Sequence, residues 1–135
     1  MNRTIKFRGK TASGDWIYGS YIYTRHYISG KDLHKIIRHE YNYDDDREDV
    51  LPETVGQFIG ICDKNGKEIY EGDIVLFEIV GLGRGKEEVV FTDGSFAIHN
   101  KEMGNLSFME IDRKRYEIIE VIGNIHENKN LLKSK

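Results

Sequence analysis

Apolar and polar residues alternate with a period of two along much of this chain, in short runs separated by Gly, Asp and Asn. That spacing belongs to strands rather than helices. Thr4-Ile5-Lys6-Phe7-Arg8 alternates first, and Gly9 to Asp15 then reads as a turn or short loop. Asp15 to Tyr23 predicts an aromatic-rich strand with Trp16, Tyr18, Ser20 and Ile22 on one face and Ile17, Gly19, Tyr21 and Tyr23 on the other. Both faces carry apolar material, so one is expected to meet the core and the other a neighbouring chain or a covering loop. Asp32 to Tyr41 fits two periods: Leu33, Ile36, Ile37 and Tyr41 share a helical face behind an Asp32 N-cap, whereas Lys35, Ile37, His39 and Tyr41 share a strand face. The reading leans to strand. The tract Asn42 to Asp49 cannot bury itself and predicts a mobile loop or hairpin tip, the best boundary between two subregions.

Beyond Thr54 the signals sharpen. Val55 to Ile61 predicts a strand, and Asp63-Lys64-Asn65-Gly66 a tight turn built on an Asn-Gly pair that favours positive φ. Lys67 to Tyr70 resumes the strand, Glu71-Gly72-Asp73 turns the chain again, and Ile74 to Val80 follows. After a glycine-rich connection from Gly81 to Lys86 come Glu88 to Phe91, an Asp93-Gly94 turn, Ser95 to Ile98 and a closing strand from Tyr116 to Ile125. Leu106 to Ile111 fits a strand or a helical turn. Several short strands joined by tight turns form the pattern of a small barrel, and Ile69-x-x-Gly72-Asp73-x-Val75 has an SH3-like rhythm. The expected fold is therefore mainly β, a β-rich α+β at most. An N-terminal β-hairpin module with an acidic loop would span 1–49, and a small SH3-like β-barrel with a C-terminal tail 50–135.

Composition narrows the class. With 135 residues, 39 % hydrophobic and 32 % charged, the chain is too apolar to be disordered and too polar to span a membrane. One cysteine, Cys62, excludes an intrachain disulfide, and the N-terminal Met1 to Lys6 leads into no apolar stretch, so a cytoplasmic location is the expectation. Repeats, low-complexity tracts and heptads are absent from the sequence, which removes a coiled-coil assembly.

Charge adds a gradient. Residues 1–39 carry eight Lys or Arg against Asp15 and Asp32, a balance of +6, while Glu40 to Asp49 amount to −5. A cationic segment steers polyanions, which makes Arg3, Lys6, Arg8, Lys10 and Arg25 candidate phosphate contacts. Their milder reading is the solvated edge of a strand, and the sequence pI of about 6.0 lies far below that of a dedicated nucleic-acid module. Trp16, Tyr18, Tyr21 and Tyr23, interleaved with Lys10 and Arg25, could stack bases; aromatics on strands more often form core or interface, and these four are the candidate surface for a homo-oligomer.

Candidate catalytic chemistry is thin. His26, His34 and His39 lie near Asp32, Glu40, Asp44, Asp45 and Asp46, a ligand set suited to zinc or manganese, which keeps open a metal-dependent hydrolase or nuclease. The five-residue step from His34 to His39 suits neither a helix face nor a strand face, so no metal and no other cofactor is expected. Cys62 lies beside the negative charge of Asp63 rather than in the electropositive setting a nucleophile needs, and reads as a small residue filling the end of a strand. Gly85-Lys86 is followed by Glu87-Glu88 rather than by Ser or Thr at a helix start, so the glycine-rich connection is no P-loop; Arg84 and Lys86 remain possible anion contacts.

Several segments together resemble the YopX family of small phage and prophage proteins of Firmicutes. They are Ile5 to Lys10 with Gly14 to Ser20, Pro52 to Gly60, Asp63 to Val75, and Val121 to Asn128. The chain departs where the family often has Tyr for His126 and Pro for Lys129. The resemblance implies a mostly β fold, a phage or prophage origin and no established activity or catalytic residues. It places the Asp63 to Gly66 and Glu71 to Asp73 turns in the family pattern, where Gly66 and Gly72 can take positive φ. Those positions read as structural. The resulting expectation is a non-enzymatic accessory protein that binds a protein or nucleic acid, self-associates and does not engage a membrane.

Overall fold

In the computed structural model, which describes residues 3–38, 47–81, 83–100, 104–107 and 116–132, the period-two runs are antiparallel strands. The chain divides into two compact units, Met1–Phe58 and Ile59–Lys135. In the first unit β1 (Phe7–Lys10), β2 (Trp16–Arg25), β3 (Asp32–Arg38), β4 (Arg47–Asp49) and the start of β5 (Gly56–Cys62) pair in the order β4-β3-β2-β1-β5. Two expectations change here. The β1 ladder runs through Gly9 and Lys10, which had read as turn, because both pair with Ile17 and Trp16. Arg47 to Asp49, placed by composition in a mobile loop, forms an edge strand on Ile37 to Lys35, with Lys35 Nζ 2.7 Å from Asp49 and Arg38 Nη2 2.9 Å from Glu48. Charges of opposite sign across an edge ladder hold what hydrophobicity alone would not. The strand reading of 32–38 holds, and residues 39–46 lie outside the described residues.

Alternation on β2 puts Ile17 inward against Ile36 and Val50, with Phe7, Tyr21 and Val55 around them. Gly9 lies beneath this cluster: a Cβ there would come within 2.9 Å of Val50. Gly19 is tighter still, since a Cβ would fall on the Ile37 carbonyl and within 2.9 Å of the Arg38 Cα. A 3₁₀ turn at Pro52–Thr54 is tied to β1 by Thr54, whose hydroxyl accepts the Lys10 N–H at 2.8 Å and donates to the Leu51 carbonyl at 2.6 Å.

In the second unit the end of β5 folds back on β6 (Glu68–Tyr70) through the Asp63 to Gly66 turn. The remaining strands, β7 (Asp73–Ile79), β8 (Gly83–Thr92), β9 (Ser95–Asn100), β10 (Gly104–Ser107) and β11 (Tyr116–Asn124), form a sheet ordered β10-β9-β8-β7-β11. Its core is Ile69, Val75, Phe77, Val89 and Ile98. Among the described residues no ladder joins β10 to β11, so the sheet is not seen to close into a barrel. Most of the glycine-rich stretch read as a loop is strand: Gly83 to Lys86 pair with Ile79 to Leu76, and Gly85 lies under the Phe77 ring, where a Cβ would come within 2.8 Å. Glycine there admits an aromatic ring rather than freeing the chain. Among the described residues helix is limited to 3₁₀ turns, and no helix is long and apolar enough to cross a membrane.

Candidate functional site

The β2–β3 ladder runs from Gly19↔Arg38 to Arg25↔Asp32. On one side the β1 ladder ends at Gly19, and on the other the β4 ladder ends at Lys35. The Val50 N–H donates to the His34 carbonyl at 3.0 Å, and from Thr24 and Leu33 outward only two strands remain among the described residues, a ribbon closed by the turn 26–31. An isolated two-stranded hairpin is marginal in water, and specific side chains reinforce this one. His34 packs against two tyrosines, with ring centroids 4.8 Å from Tyr23 and 6.0 Å from Tyr21 and interplanar angles of 5° and 12°. The Tyr21 hydroxyl lies 2.6 Å from His34 Nδ1. Burial and the neighbouring Tyr23 push the Tyr21 phenol above its ordinary pKa, so it stays neutral and able to donate. Asp32 accepts from both Arg25 Nε and the Tyr23 hydroxyl at 3.3 Å; that hydrogen bond and charge raise the Arg25 pKa further.

In the turn, the His26 N–H donates to the Lys31 carbonyl at 2.7 Å and the Gly30 N–H to the His26 carbonyl at 2.9 Å. Gly30 takes φ +69°, and the Ser29 N–H donates to His26 Nδ1 at 3.2 Å. Every residue from Tyr23 to Asp32 is exposed. The tip presents Tyr27, 97 % exposed, and Ile28, 85 % exposed, within a frame of Arg25, His26 and Lys31. An open hollow of about 340 Å³ at the foot of the arm is lined by Lys31, Asp32, His34, Asp49, Val50 and Pro52, of mixed charge and with no convergent set of ligands.

The residues singled out from sequence are scattered by this geometry. Arg3 is exposed ahead of β1, Lys6 and Lys10 are half-buried, and Arg25 is on the arm. Arg8 is only 6 % exposed. Its guanidinium lies 4.7 Å from the centroid of Trp16, and Lys10 Nζ lies 5.9 Å from the same ring, so the indole face is occupied by the chain's own cations. Trp16 and Tyr18 share that face of β2, whereas Tyr21 and Tyr23 belong to the opposite face with Ile17. Of the histidines and acids, His26 is in the turn and His34 in the stack, while His39, Glu40, Asp44, Asp45 and Asp46 lie outside the described residues. Among the described residues no group of three or more His, Cys, Asp or Glu is placed to hold a metal ion. Cys62 is exposed at the end of β5, and Arg84 Nε lies 3.7 Å from Glu78. Sequence reasoning passed over Tyr27, Ile28 and Lys31; the signal was an apolar pair set inside a polar turn.

A family model described as YopX protein matches residues 6–133. The chain belongs to the YopX family. No curated protein matches it. This YopX-family chain is similar over 98 % of its length to the whole (100 %) of protein EF1440 from Enterococcus faecalis, known from a crystal structure, with a TM-score of 0.51 and 23 % identity. That likeness speaks to the fold alone.

The segments that carry the YopX pattern have structural employment. Asp63 Oδ1 accepts the N–H groups of Asn65 and Lys67, and Oδ2 accepts that of Val121 in β11, all at 2.9 Å. Burial alone would raise this carboxyl's pKa; the Val121, Lys67 and Asn65 bonds and the charge of Lys67 outweigh burial and hold it below the ordinary value. A bulge in β11 between Ile118 and Glu120 leaves the Ile119 carbonyl to accept the Lys64 N–H at 3.3 Å. Gly66 and Gly72 take φ +82° and +87° as expected, and buried Asp73 accepts the Tyr70 N–H at 2.8 Å. In the last segment Asn124 Oδ1 accepts the N–H groups of His126 and Glu127 at 3.0 Å, and Gly123 is bare because Asn128 packs where its Cβ would be. The chain then continues into a 3₁₀ turn at Lys129–Leu132.

Proposed function

We propose that this YopX-family protein is a non-enzymatic phage or prophage accessory protein that acts in the host cytoplasm by binding a macromolecule through the β2–β3 arm. The observation that carries the reading is the exposure of Tyr27 and Ile28 together at the end of a two-stranded ribbon. Nothing about folding requires them there: neither joins the core cluster of the first unit. Two apolar side chains left in water forgo about 1.5–3 kcal/mol each of burial energy, which a partner surface can recover. The ordered turn beneath them lowers the conformational cost of docking. The SH3-like reading of the second unit belongs with this proposal, supported by its short strands and tight turns. Self-association through β2 accompanies it, with Tyr18 on one face and Tyr23 on the other as the exposed members of the Trp16, Tyr18, Tyr21 and Tyr23 set; light scattering that gives only a 15.7 kDa species overturns that part.

The test is affinity capture from lysogenic or infected cells with the wild type and a Tyr27→Ser/Ile28→Ser variant. Macromolecules retained by the wild type and lost from a variant of unchanged melting temperature are expected. Identical retention by both refutes the arm as the binding element.

A further inference from the structure

We propose that the macromolecule taken by the arm is duplex DNA, with the ribbon entering a groove and the Tyr27-Ile28 tip wedging at the base steps; this rests on the arm being the binding element. Shape argues first. A two-stranded β-ribbon is an element that the DNA major groove admits, and an exposed apolar pair at its end is what reaches the groove floor first. Duplex RNA is disfavoured because its deep major groove is too narrow for such an element.

Chemistry argues second. From Tyr23 to Asp32 the arm carries Arg25, Lys31 and His26 against one carboxylate, Asp32; Arg25 and Asp32 pair with each other, which leaves Lys31 as the unbalanced charge beside the tip. The exposed hydrogen-bonding side chains toward the tip, His26, Ser29 and Lys31, suit phosphate and base-edge acceptors. An apolar wedge flanked by cations is the arrangement by which architectural proteins part a base step. The geometry also distinguishes this site from the β1 cations, since Arg8 is buried and its guanidinium is spent on Trp16.

Contact with few phosphates predicts weak, salt-sensitive binding: with about one neutralised, log K against log salt should slope near −1. Fluorescence anisotropy of a labelled duplex of about 20 bp at about 50 mM salt reads it directly, with a Kd expected in the range of about 1–100 μM. Tyr27→Ser/Ile28→Ser should weaken binding about tenfold or more, as loss of a wedge worth over 1.4 kcal/mol would. Lys31→Gln should reduce the salt slope by about 1. Both variants alter exposed side chains, so their melting curves should overlay the wild type. Absence of saturable binding by the wild type up to about 100 μM overturns the proposal, as does equal binding by the tip variant. Nuclease-treated capture separates the two levels: proteins retained by the wild type and lost from the tip variant would uphold the arm as the binding element while overturning DNA as its partner.

Discussion

Replacing Asp63 by Asn removes a charge and almost nothing else, which makes it a sharp probe of what holds the second unit together. The carboxylate joins three backbone N–H groups: two belong to the turn that ends β5, and the third, Val121, is in β11. An asparagine can keep Oδ1 toward Asn65 and Lys67, but its amide then faces the Val121 N–H, donor against donor. Loss of one charge-assisted bond and stranding of a half-buried donor cost about 2–3 kcal/mol. Asp63→Ala removes all three acceptor contacts and should cost about 3–4 kcal/mol, since the turn amides can turn to water while Val121 is held in its ladder. In a unit spanning 59–135, 1 kcal/mol moves the melting midpoint by roughly 4–8 °C. The Asn variant should therefore melt about 10–20 °C below the wild type at neutral pH. The sign of the pH dependence follows from the depressed pKa: the carboxylate's contribution is present above its ordinary value of 3.8 and disappears as pH falls through the lower folded value. Circular dichroism melts of the two proteins from neutral pH down to about pH 2 should converge in that acid window. An Asn variant melting within about 2 °C of the wild type at neutral pH, or a gap that survives undiminished below the folded pKa, would refute the account.

Other perturbations probe separate links. Gly19→Ala places a Cβ on the Ile37 carbonyl, and because backbone on both strands must part, a loss of about 3 kcal/mol or more, or failure to yield soluble protein, is expected in urea unfolding. Tyr21→Phe deletes the hydroxyl at 2.6 Å from His34 while leaving the ring stack; a cost of about 0.5–1.5 kcal/mol, read by the same titration, is expected. Asn124→Ala strands the His126 and Glu127 N–H groups and should cost about 1–2 kcal/mol, with faster amide exchange confined to that turn. Burial raises the Glu88 pKa against the opposing pull of His99 and Lys129. Its charged form is therefore the penalised one, so Glu88→Gln should raise the melting temperature at neutral pH, and the advantage should vanish below the ordinary carboxylate value of 4.5.

By itself the sequence determined most of the strands, because a period of two between Gly, Asp and Asn punctuation is a local property. Gly66 and Gly72 were destined for turns by backbone sterics, whereas the choice of the Ile17 face of β2 for the core, and of Ile36 rather than Ile37 on β3, waited for the sheet. The family was legible for the same reason, since its pattern is made of those turns. What only tertiary structure decided is which partner each side chain meets. Arg8 had the look of a free cation until the β1–β2 register laid its guanidinium on Trp16. The Gly83 to Lys86 run resembled a loop, because composition cannot report that Phe77 lies across Gly85. Arg47 to Asp49 became an edge strand once Lys35 and Arg38 were brought opposite its carboxylates. Asp63 sat in a recognised turn, yet its bond to Val121 spans 58 residues of chain, and no local pattern encodes a contact at that separation. The arm was equally hidden: Tyr27 and Ile28 look like any short apolar pair, and only the ends of the β1 and β4 ladders leave them in water.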